Sequence, residues 1–466
     1  YQLRRMGHAC TVFERQEKLG GMMRYGIPGY RVPDEVLDGE IQRILDMGVE
    51  VRNNTRVGED ISFADMRAQF DAVFIALGAQ SGMALPVPGG DAPNVISGVA
   101  FLQAFNDGRL QHTAGKVLVV GGGDTSMDVA AVARRLGHIQ HKREHDRPEN
   151  IIMGYMAHDV AGVAQRQGAD VTLISRESAD IMPATKMEVE HVTQEGVKIR
   201  PGLLPVEVIL GDDGRASGVR VIQTDWSSGQ METVAGTETE LECDLLVSAI
   251  GQRGDLSGFE ELDSGRGLID ADGFYRVKDH PDLFVGGDII RPHLLTTAIG
   301  QGSIAAEGVD KFLRGQDPAK RPKVDVHQFN LLDKLRETGK APTEYPHVQD
   351  RGTCEADYAV HNYEDRSFVE IVPSDELFLG HFKYEARNKR KESTITADSV
   401  LGSFGERIEG LTEAEAQAEA NRCMSCGMCF ECDNCVVFCP QDAIFRVKPD
   451  KSTMGRYVDT DYNKCI

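Results

Sequence analysis

The apolar run Lys116-Val-Leu-Val-Val120 leads directly into Gly121-Gly-Gly123-Asp124-Thr125-Ser126, and an amphipathic stretch, Met127–Leu136, follows and ends at Gly137. Strand, G-x-G-x-x-S turn and helix in this order constrain the fold more than any other feature. They predict a Rossmann-like α/β unit with a parallel sheet. The glycines permit a tight turn and let backbone N–H groups approach a pyrophosphate at the helix N-terminus. Gly121, Gly123, Asp124 and Thr125 are therefore candidate dinucleotide ligands. Ser126 stands where Gly or Ala is usual, which loosens helix–strand packing slightly. A tight βα turn that binds nothing satisfies the same pattern.

The second strand of this unit is expected at Asp170–Ser175, ending in Arg176-Glu177. An acid at this strand end accepts hydrogen bonds from the ribose hydroxyls of NAD, whereas a base suits the 2′-phosphate of NADP. Glu177 would repel that phosphate, so NADH is expected in preference to NADPH. The alternative is a solvated Glu177, with Arg176 alone selecting NADPH.

The N-terminal residues show a second unit of the same kind. Ala9-Cys-Thr-Val-Phe13 is strand-like and ends in Glu14, a candidate ribose ligand, and Leu19-Gly20-Gly21-Met22 supplies a close-approach loop. Asp71–Gly78 and Asp244–Gly251 are matching apolar strands ending in glycine, one in each unit. Leu283–Asp288 is a strand with Gly287 and Asp288 at its end, a carboxylate placed to meet a ribityl hydroxyl. Thr296–Gly300 opens a helix whose N-terminal dipole, at Thr297 and Ala298, favours negative charge on a reduced flavin. Together these segments point to two related nucleotide-binding units and a flavin enzyme.

Six of the ten cysteines lie between Cys423 and Cys439, and the last four read C-x2-C-x2-C-x3-C-P. That is the run in which three thiolates hold one [4Fe-4S] cluster and the fourth reaches another. Cys429, Cys432 and Cys435 are the expected ligands of one cluster and Cys439 of a second, with Cys465 opening the next run. Cys423 and Cys426 are either additional ligands or free thiols. Zinc is the rival, but zinc frameworks separate their C-x2-C pairs by a dozen or more residues. The chain opens on what reads as the back half of a helix and closes on the start of a cysteine run, so it is expected to be a fragment.

With 51 basic and 73 acidic residues the net charge is −22, which argues against nucleic-acid binding. No apolar run reaches the length of a membrane span and no signal-peptide pattern opens the chain. Cys10, Cys243 and Cys354 are scattered singly, as in a reducing cytoplasm. His138, His141 and His145 are spaced as one helix face; a solvated face is expected there rather than a metal site. Trp226 is expected at a hairpin.

Assembled, these residues resemble the glutamate synthase small-subunit family of pyridine-nucleotide-dependent flavoproteins. The matching pieces are Glu14, residues 20–28 (Gly-Gly-Met-Met-Arg-Tyr-Gly-Ile-Pro), residues 121–128, Met182-Pro183-Ala184, Ala249-Ile-Gly251 and Gly286-Gly287-Asp288. The resemblance adds Gly21, Met22, Arg24, Gly78 and Gly251 to the expected cofactor ligands. It implies FAD in the outer unit and NAD(H) in the inner one, hydride exchange between nicotinamide and flavin, then single-electron transfer to clusters, with no catalytic acid or base. The family often has two arginines where this chain has Arg176-Glu177. The cysteine-rich C-terminus and an insertion at 138–168 look most like the iron–sulfur flavoprotein of the dissimilatory sulfite reductase system. That likeness implies a protein electron partner, dissimilatory sulfite reductase. A glutamate synthase-type or ferredoxin:NAD(P) reductase electron feeder is the second reading, and a non-catalytic assembly subunit the third.

The expected architecture is α/β: two Rossmann-like dinucleotide-binding domains of the disulfide-reductase-like type, followed by a ferredoxin-like α+β domain. The flavin domain spans 1–110 and 253–315, the NAD(P) domain 111–252. A connector covers 316–420 and wraps the flavin domains, and the incomplete iron–sulfur domain covers 421–466.

Overall fold

A computed structural model describes residues 1–139, 144–154, 166–316, 391–421, 444–446 and 458–460. The chain divides into two compact units, one formed by Tyr1–Ala319 with Ser393–Arg407, the other by Lys320–Glu392 with Ile408–Ile466.

The centre of the first unit is a five-stranded parallel sheet. Its order is Lys198–Pro201, Asp170–Ser175, Lys116–Val120, Leu245–Ser248 and Val95–Ser97. These strands are apolar on both faces because both faces are covered. Val117, Val119, Val171, Leu173, Leu245 and Val247 point to the helices Gly98–Asn106 and Asp124–Leu136. The alternate residues Leu118, Val120, Ile174 and Leu246 point to the antiparallel pair Leu203–Leu210 and Ala216–Asp225. A period of two thus assigns each side chain to one of two cores.

The remainder of this unit carries two short parallel pairs, Thr11–Phe13 with Glu50–Arg52 and Leu283–Val285 with Val73–Ile75. Their core is separate, formed by Phe63, Val73, Ile75, Phe259, Ile269, Leu283 and Ile289. The helix Leu295–Leu313 packs behind Phe284 through Ala305 and Val309. The chain passes between these two halves through the antiparallel residues Ser81–Gly82 and Gln252–Arg253.

The histidine-bearing stretch is not one helix face. His138–Ile139 is a strand paired with Arg166–Gln167, and Glu144–Asp146 is a separate 3-10 turn, so the expected i, i+3, i+7 stripe does not form. Gly137, at φ +64, ends the preceding helix and turns His138 away from its axis. His141 lies outside the described residues. Trp226 does sit at a hairpin, its carbonyl accepting from Gly229 N–H at 2.9 Å.

Ser393–Arg407 runs against the helices Asp124–Leu136 and Lys186–Gln194 of the nucleotide-binding half. Gly402 N–H donates to Arg135 O at 2.7 Å, and Arg134 Nη2 donates to Ala397 O at 3.3 Å. Arg407 pairs with Glu195, which also takes a two-point bond from Arg135.

On the same helix, burial pushes the Asp128 carboxyl up to about 6 even though Arg31 pulls it down. Folded Asp128 therefore keeps a proton that the unfolded chain releases near pH 4, so stability falls as pH rises from about 4 to 6. Asp128→Asn is expected to flatten this fall in urea titrations at pH 4, 5 and 6; an unaltered slope would assign it to other groups.

In the second unit, Lys391–Glu392 pairs antiparallel with Ile408–Glu409, and Ile444–Arg446 with Val458–Thr460. The helix Glu413–Asn421 starts on a capping box: Glu415 N–H donates to Thr412 Oγ1 at 3.3 Å, and Thr412 N–H to Glu415 Oε2 at 2.9 Å. Cys429, Cys432, Cys435, Cys439 and Cys465 lie outside the described residues, as do Cys423 and Cys426.

Candidate dinucleotide and flavin site

The site begins where the parallel sheet reverses its winding. From Lys116–Val120 the chain proceeds to Asp170–Ser175 on one side, while Leu245–Ser248 lies on the other, which opens a crevice at the strand ends. Gly121 occupies this point at φ +151, and a Cβ there would lie 2.4 Å from the Ala249 carbonyl oxygen. Gly122 is equally confined: a Cβ would meet Ser175 Oγ at 2.5 Å and Glu177 Oε2 at 2.9 Å. The helix starts at Asp124, earlier than the expected Met127, so its first N–H groups are aimed from Asp124 and Thr125.

Glu177 is fixed over this turn. Its Oε2 accepts from Ser175 Oγ at 2.7 Å and its Oε1 from Arg176 Nε at 2.8 Å. Burial opposes ionisation, but the bonds from Arg176 and Ser175 outweigh it and hold the carboxyl below the usual range. Arg176 is itself held through its carbonyl, which accepts from Thr224 Oγ1 at 2.7 Å and Trp226 Nε1 at 2.8 Å. Pro183 closes the side of the turn, where Ala184 N–H donates to Gly122 O at 2.9 Å.

A cavity of about 740 Å³ is lined by Gly121, Gly122, Gly123, Asp124, Thr125, Arg176 and Glu177, and extends past Gly251 and Gln252 to Asp288 and His293. Residues from both halves thus share one space. Gly251, at φ +137, leaves room for Met83, whose Sδ a Cβ would approach to 3.1 Å. His293 Nδ1 lies 2.8 Å from Thr297 Oγ1, and His293 N–H donates to Asp288 Oδ1 at 3.2 Å. Gln252 and His293 have no sequence signature of a site; only the folded chain brings them to the crevice, beside Pro183 of the Met182-Pro183-Ala184 piece.

Glu14, Gly21, Met22, Arg24, Gly78, Gly287, Thr297 and Ala298 do not line that cavity. Several of them converge elsewhere. Gln80 lies close to both Gly21 and Gly78, and its Oε1 accepts from Arg15 Nη2 at 3.3 Å. Gly21 at φ +51, Gly78 at φ +64 and Gly287 at φ +81 are all in the conformation that favours glycine. Among the described residues, chain neighbours aside, no atom lies within 3.5 Å of a Cβ at these three glycines, which leaves their backbone room for a ligand. Gly287 N–H is taken by Gln301 Oε1 at 2.7 Å, and Glu14 Oε1 accepts from Gln16 N–H at 2.8 Å. Arg24 is buried and turned toward protein: Nε donates to Leu19 O at 2.6 Å, and the other nitrogens pair with Asp34 and Asp38. The donor set fits two nucleotides, with carboxylates at strand ends and exposed glycine backbone beside each.

The family model for pyridine nucleotide-disulphide oxidoreductases matches residues 2–302. The chain belongs to this family. Membership makes it an oxidoreductase with a flavin and a pyridine-nucleotide site. This family member is 34% identical over 326 residues to the NADP(+)-dependent formate dehydrogenase subunit beta of Moorella thermoacetica, covering 67% of this chain and 42% of the relative. It is 32% identical over 341 residues to the glutamate synthase [NADPH] small chain of Mycobacterium tuberculosis, covering 69% and 65%. The NAD-dependent dihydropyrimidine dehydrogenase subunit PreT of Salmonella typhimurium is 30% identical over 314 residues, covering 67% and 64%. The chain therefore spans 42–65% of the length of these relatives. Among solved structures, Mycobacterium tuberculosis FprA in complex with NADPH superposes with a TM-score of 0.51 at 17% identity, covering 72% of this chain and 80% of that one. At that identity the likeness shows the fold alone. Among the described residues no helix is long and apolar enough to cross a membrane.

Proposed function

We propose that the chain is the flavin-bearing part of an NAD(P)H-dependent iron–sulfur oxidoreductase that exchanges electrons with a protein partner. The observation that carries this reading is the single cavity running from the Gly121–Gly123 turn and Glu177 to Asp288. When bound, FAD would accept a hydride from NADH, which leaves as NAD+, and the two electrons would then pass singly to [4Fe-4S] clusters.

The chain's own residues supply position. Gly121 to Thr125 bring backbone N–H groups to the pyrophosphate of NADH, and Glu177 accepts from its ribose hydroxyls. Asp288 takes a ribityl hydroxyl, Glu14 the adenosine ribose of FAD, and Gly21, Met22, Gly78, Gly251 and Gly287 allow close backbone approach. Arg24 acts by fixing the Gly20–Gly21 loop. Thr297 and Ala298 present the N-terminus of the Leu295–Leu313 helix to the reduced ring. Cys429, Cys432 and Cys435 would hold one cluster, Cys439 and Cys465 others. Dissimilatory sulfite reductase is the proposed partner, on the likeness of the cysteine-rich C-terminus and the insertion at 138–168.

The names of the relatives divide between NADP and NAD, so Glu177 decides the preference proposed for this chain. Its carboxylate repels a 2′-phosphate and also occupies Arg176. Glu177→Ala is expected to raise the NADPH-to-NADH ratio of kcat/KM about 10-fold, since one like charge at a few ångström is worth about 1 kcal/mol or more. Anaerobic assay of the complete protein with each nucleotide, with and without purified sulfite reductase, tests the whole reading. Equal wild-type rates with NADPH would sink the role of Glu177. Unchanged rates on adding sulfite reductase would remove that partner, and no flavin bleaching by either nucleotide would favour an assembly subunit.

A further inference from the structure

The ribbon joining the two halves has only two residue pairs, Gln252↔Gly82 and Arg253↔Ser81. An isolated two-stranded element this small is marginally stable and cannot fix an orientation by itself. A second connection is built from the loop that follows the Gly20–Gly21 turn. Asn106, ending the helix Gly98–Asn106, donates Nδ2 to Arg24 O at 2.9 Å and to Ile27 O at 2.7 Å. Its Oδ1 accepts from Gly29 N–H at 3.2 Å. The next residue, Tyr30, lies against the Arg135 guanidinium at 4.2 Å and packs on Phe404, which also meets Phe105. Arg31 then reaches two helices of the nucleotide-binding half, pairing through Nη1 with Asp128 and through Nη2 with Glu188.

Tyr30, Phe105 and Phe404 also pack on the nucleotide-binding core, whereas the two pairs of Arg31 lie outside both cores. The two cores are separate. What the contacts do fix is where the Gly20–Gly21 loop lies relative to the crevice. Asp128 is one turn along the helix that begins at the glycine turn, so Arg31 ties the loop directly to the element proposed to carry the pyrophosphate.

We propose that Tyr30 and Arg31 form a latch that holds the two nucleotide-binding halves in one mutual orientation, with Arg31 as a positioning residue for hydride transfer. The inference rests on the NADH-to-flavin reading above. Its physical basis is that a displacement of about 1 Å between reacting groups costs on the order of 100-fold in rate, while binding to one half is untouched. The latch therefore acts on the limiting rate, and not on affinity for NADH.

The test uses the complete protein with its flavin. In anaerobic stopped flow, Arg31→Ala is expected to slow flavin bleaching at saturating NADH by about 10-fold or more, with the dissociation constant for NADH within about 3-fold. Arg31→Lys keeps the charge but not the two-armed geometry, and should recover part of the rate. Hydrogen exchange provides a readout independent of turnover: the amides of Gly29, Arg31 and Val32, and that of Met83 at the ribbon, should exchange faster in Arg31→Ala. Should Arg31→Ala fail to fold, Glu188→Gln removes one arm from the partner side and is expected to act in the same direction, less strongly. Wild-type rate and exchange in these variants would overturn the latch. A weaker NADH affinity at an unchanged limiting rate would overturn it too, by making Arg31 a binding group. Absence of bleaching in the wild-type protein would instead remove the functional reading, and exchange alone would then judge the latch.

Discussion

Replacing Gly122 with alanine should lower kcat/KM for NADH about 100-fold, with KM raised because the added carbon obstructs the nucleotide itself, while the protein retains its flavin. A methyl group at this position points into the groups that shape the nucleotide end of the cavity. It would lie 2.5 Å from Ser175 Oγ, 2.9 Å from Glu177 Oε2 and 3.3 Å from Pro183 Cδ. Ser175 cannot withdraw without releasing Glu177, because its hydroxyl donates to that carboxylate at 2.7 Å and accepts from the Glu177 N–H at 3.1 Å. The added carbon thus displaces the ribose-binding acid as well as narrowing the turn. The flavin half has a separate core and no residue in this contact. Flavin content measured by absorbance, and bleaching by dithionite, should match the wild type. A KM for NADH within a few-fold of the wild type would show that the nucleotide does not enter over Gly122. Gly121→Ala is a different experiment, since its Cβ would strike a backbone oxygen at 2.4 Å and disturb the sheet itself.

The parts of this molecule that could be read in the sequence are those whose physics is local. Lys116–Val120 and Leu245–Ser248 are β-branched and leucine-rich because parallel strands are covered on both faces, and glycine follows each where the backbone turns to positive φ, at Gly121 and Gly251. Glu177 could be named from its place at a strand end, and the structure puts it over the turn. The His138–His145 stretch could not be read: the Gly137 stop was visible, but the pairing of His138–Ile139 with Arg166–Gln167, nearly thirty residues on, leaves no periodic trace. Within the stretch expected as a connector, the described residues Ser393–Arg407 pack on the nucleotide-binding half through contacts with Arg134, Arg135 and Glu195, and Phe404 also meets Tyr30. Such tertiary ion pairs have no spacing rule. Arg31 with Asp128 and Glu188, and Glu195 with Arg135 and Arg407, join residues separated by up to 212 positions. Arg24 shows the converse, a residue whose motif is recognisable but whose side chain is spent on Leu19, Asp34 and Asp38.

Glu195→Ala should be the most destabilising of these substitutions, costing about 3–5 kcal/mol. Glu195 caps the Lys186–Gln194 helix with its side chain 1% exposed, between Arg135 at 2% and Arg407 at 8%. Arg135 donates Nε and Nη2 to its two oxygens at 3.2 and 2.8 Å, and Arg407 shares the second oxygen. One carboxylate thus serves two buried cations. The remaining charge is spread over the Gly405 and His191 carbonyls and the Tyr30 ring. Without Glu195 both guanidinium groups stay buried with the more distant Glu406 as the remaining counter-charge at Arg135, and the cheapest relief is to release Ser393–Arg407 from the helices. Urea unfolding should show the loss in the midpoint, and exchange at the Gly402 amide should rise before global unfolding. A cost below about 1 kcal/mol would mean that water reaches the cluster and screens it. Replacing all three residues by apolar ones of similar volume should recover most of the loss, because a buried ion cluster contributes little net stability over a packed apolar one. The stability would return without the fixed placement of Arg135 beneath Tyr30, so the triple variant separates what the cluster stabilises from what it positions.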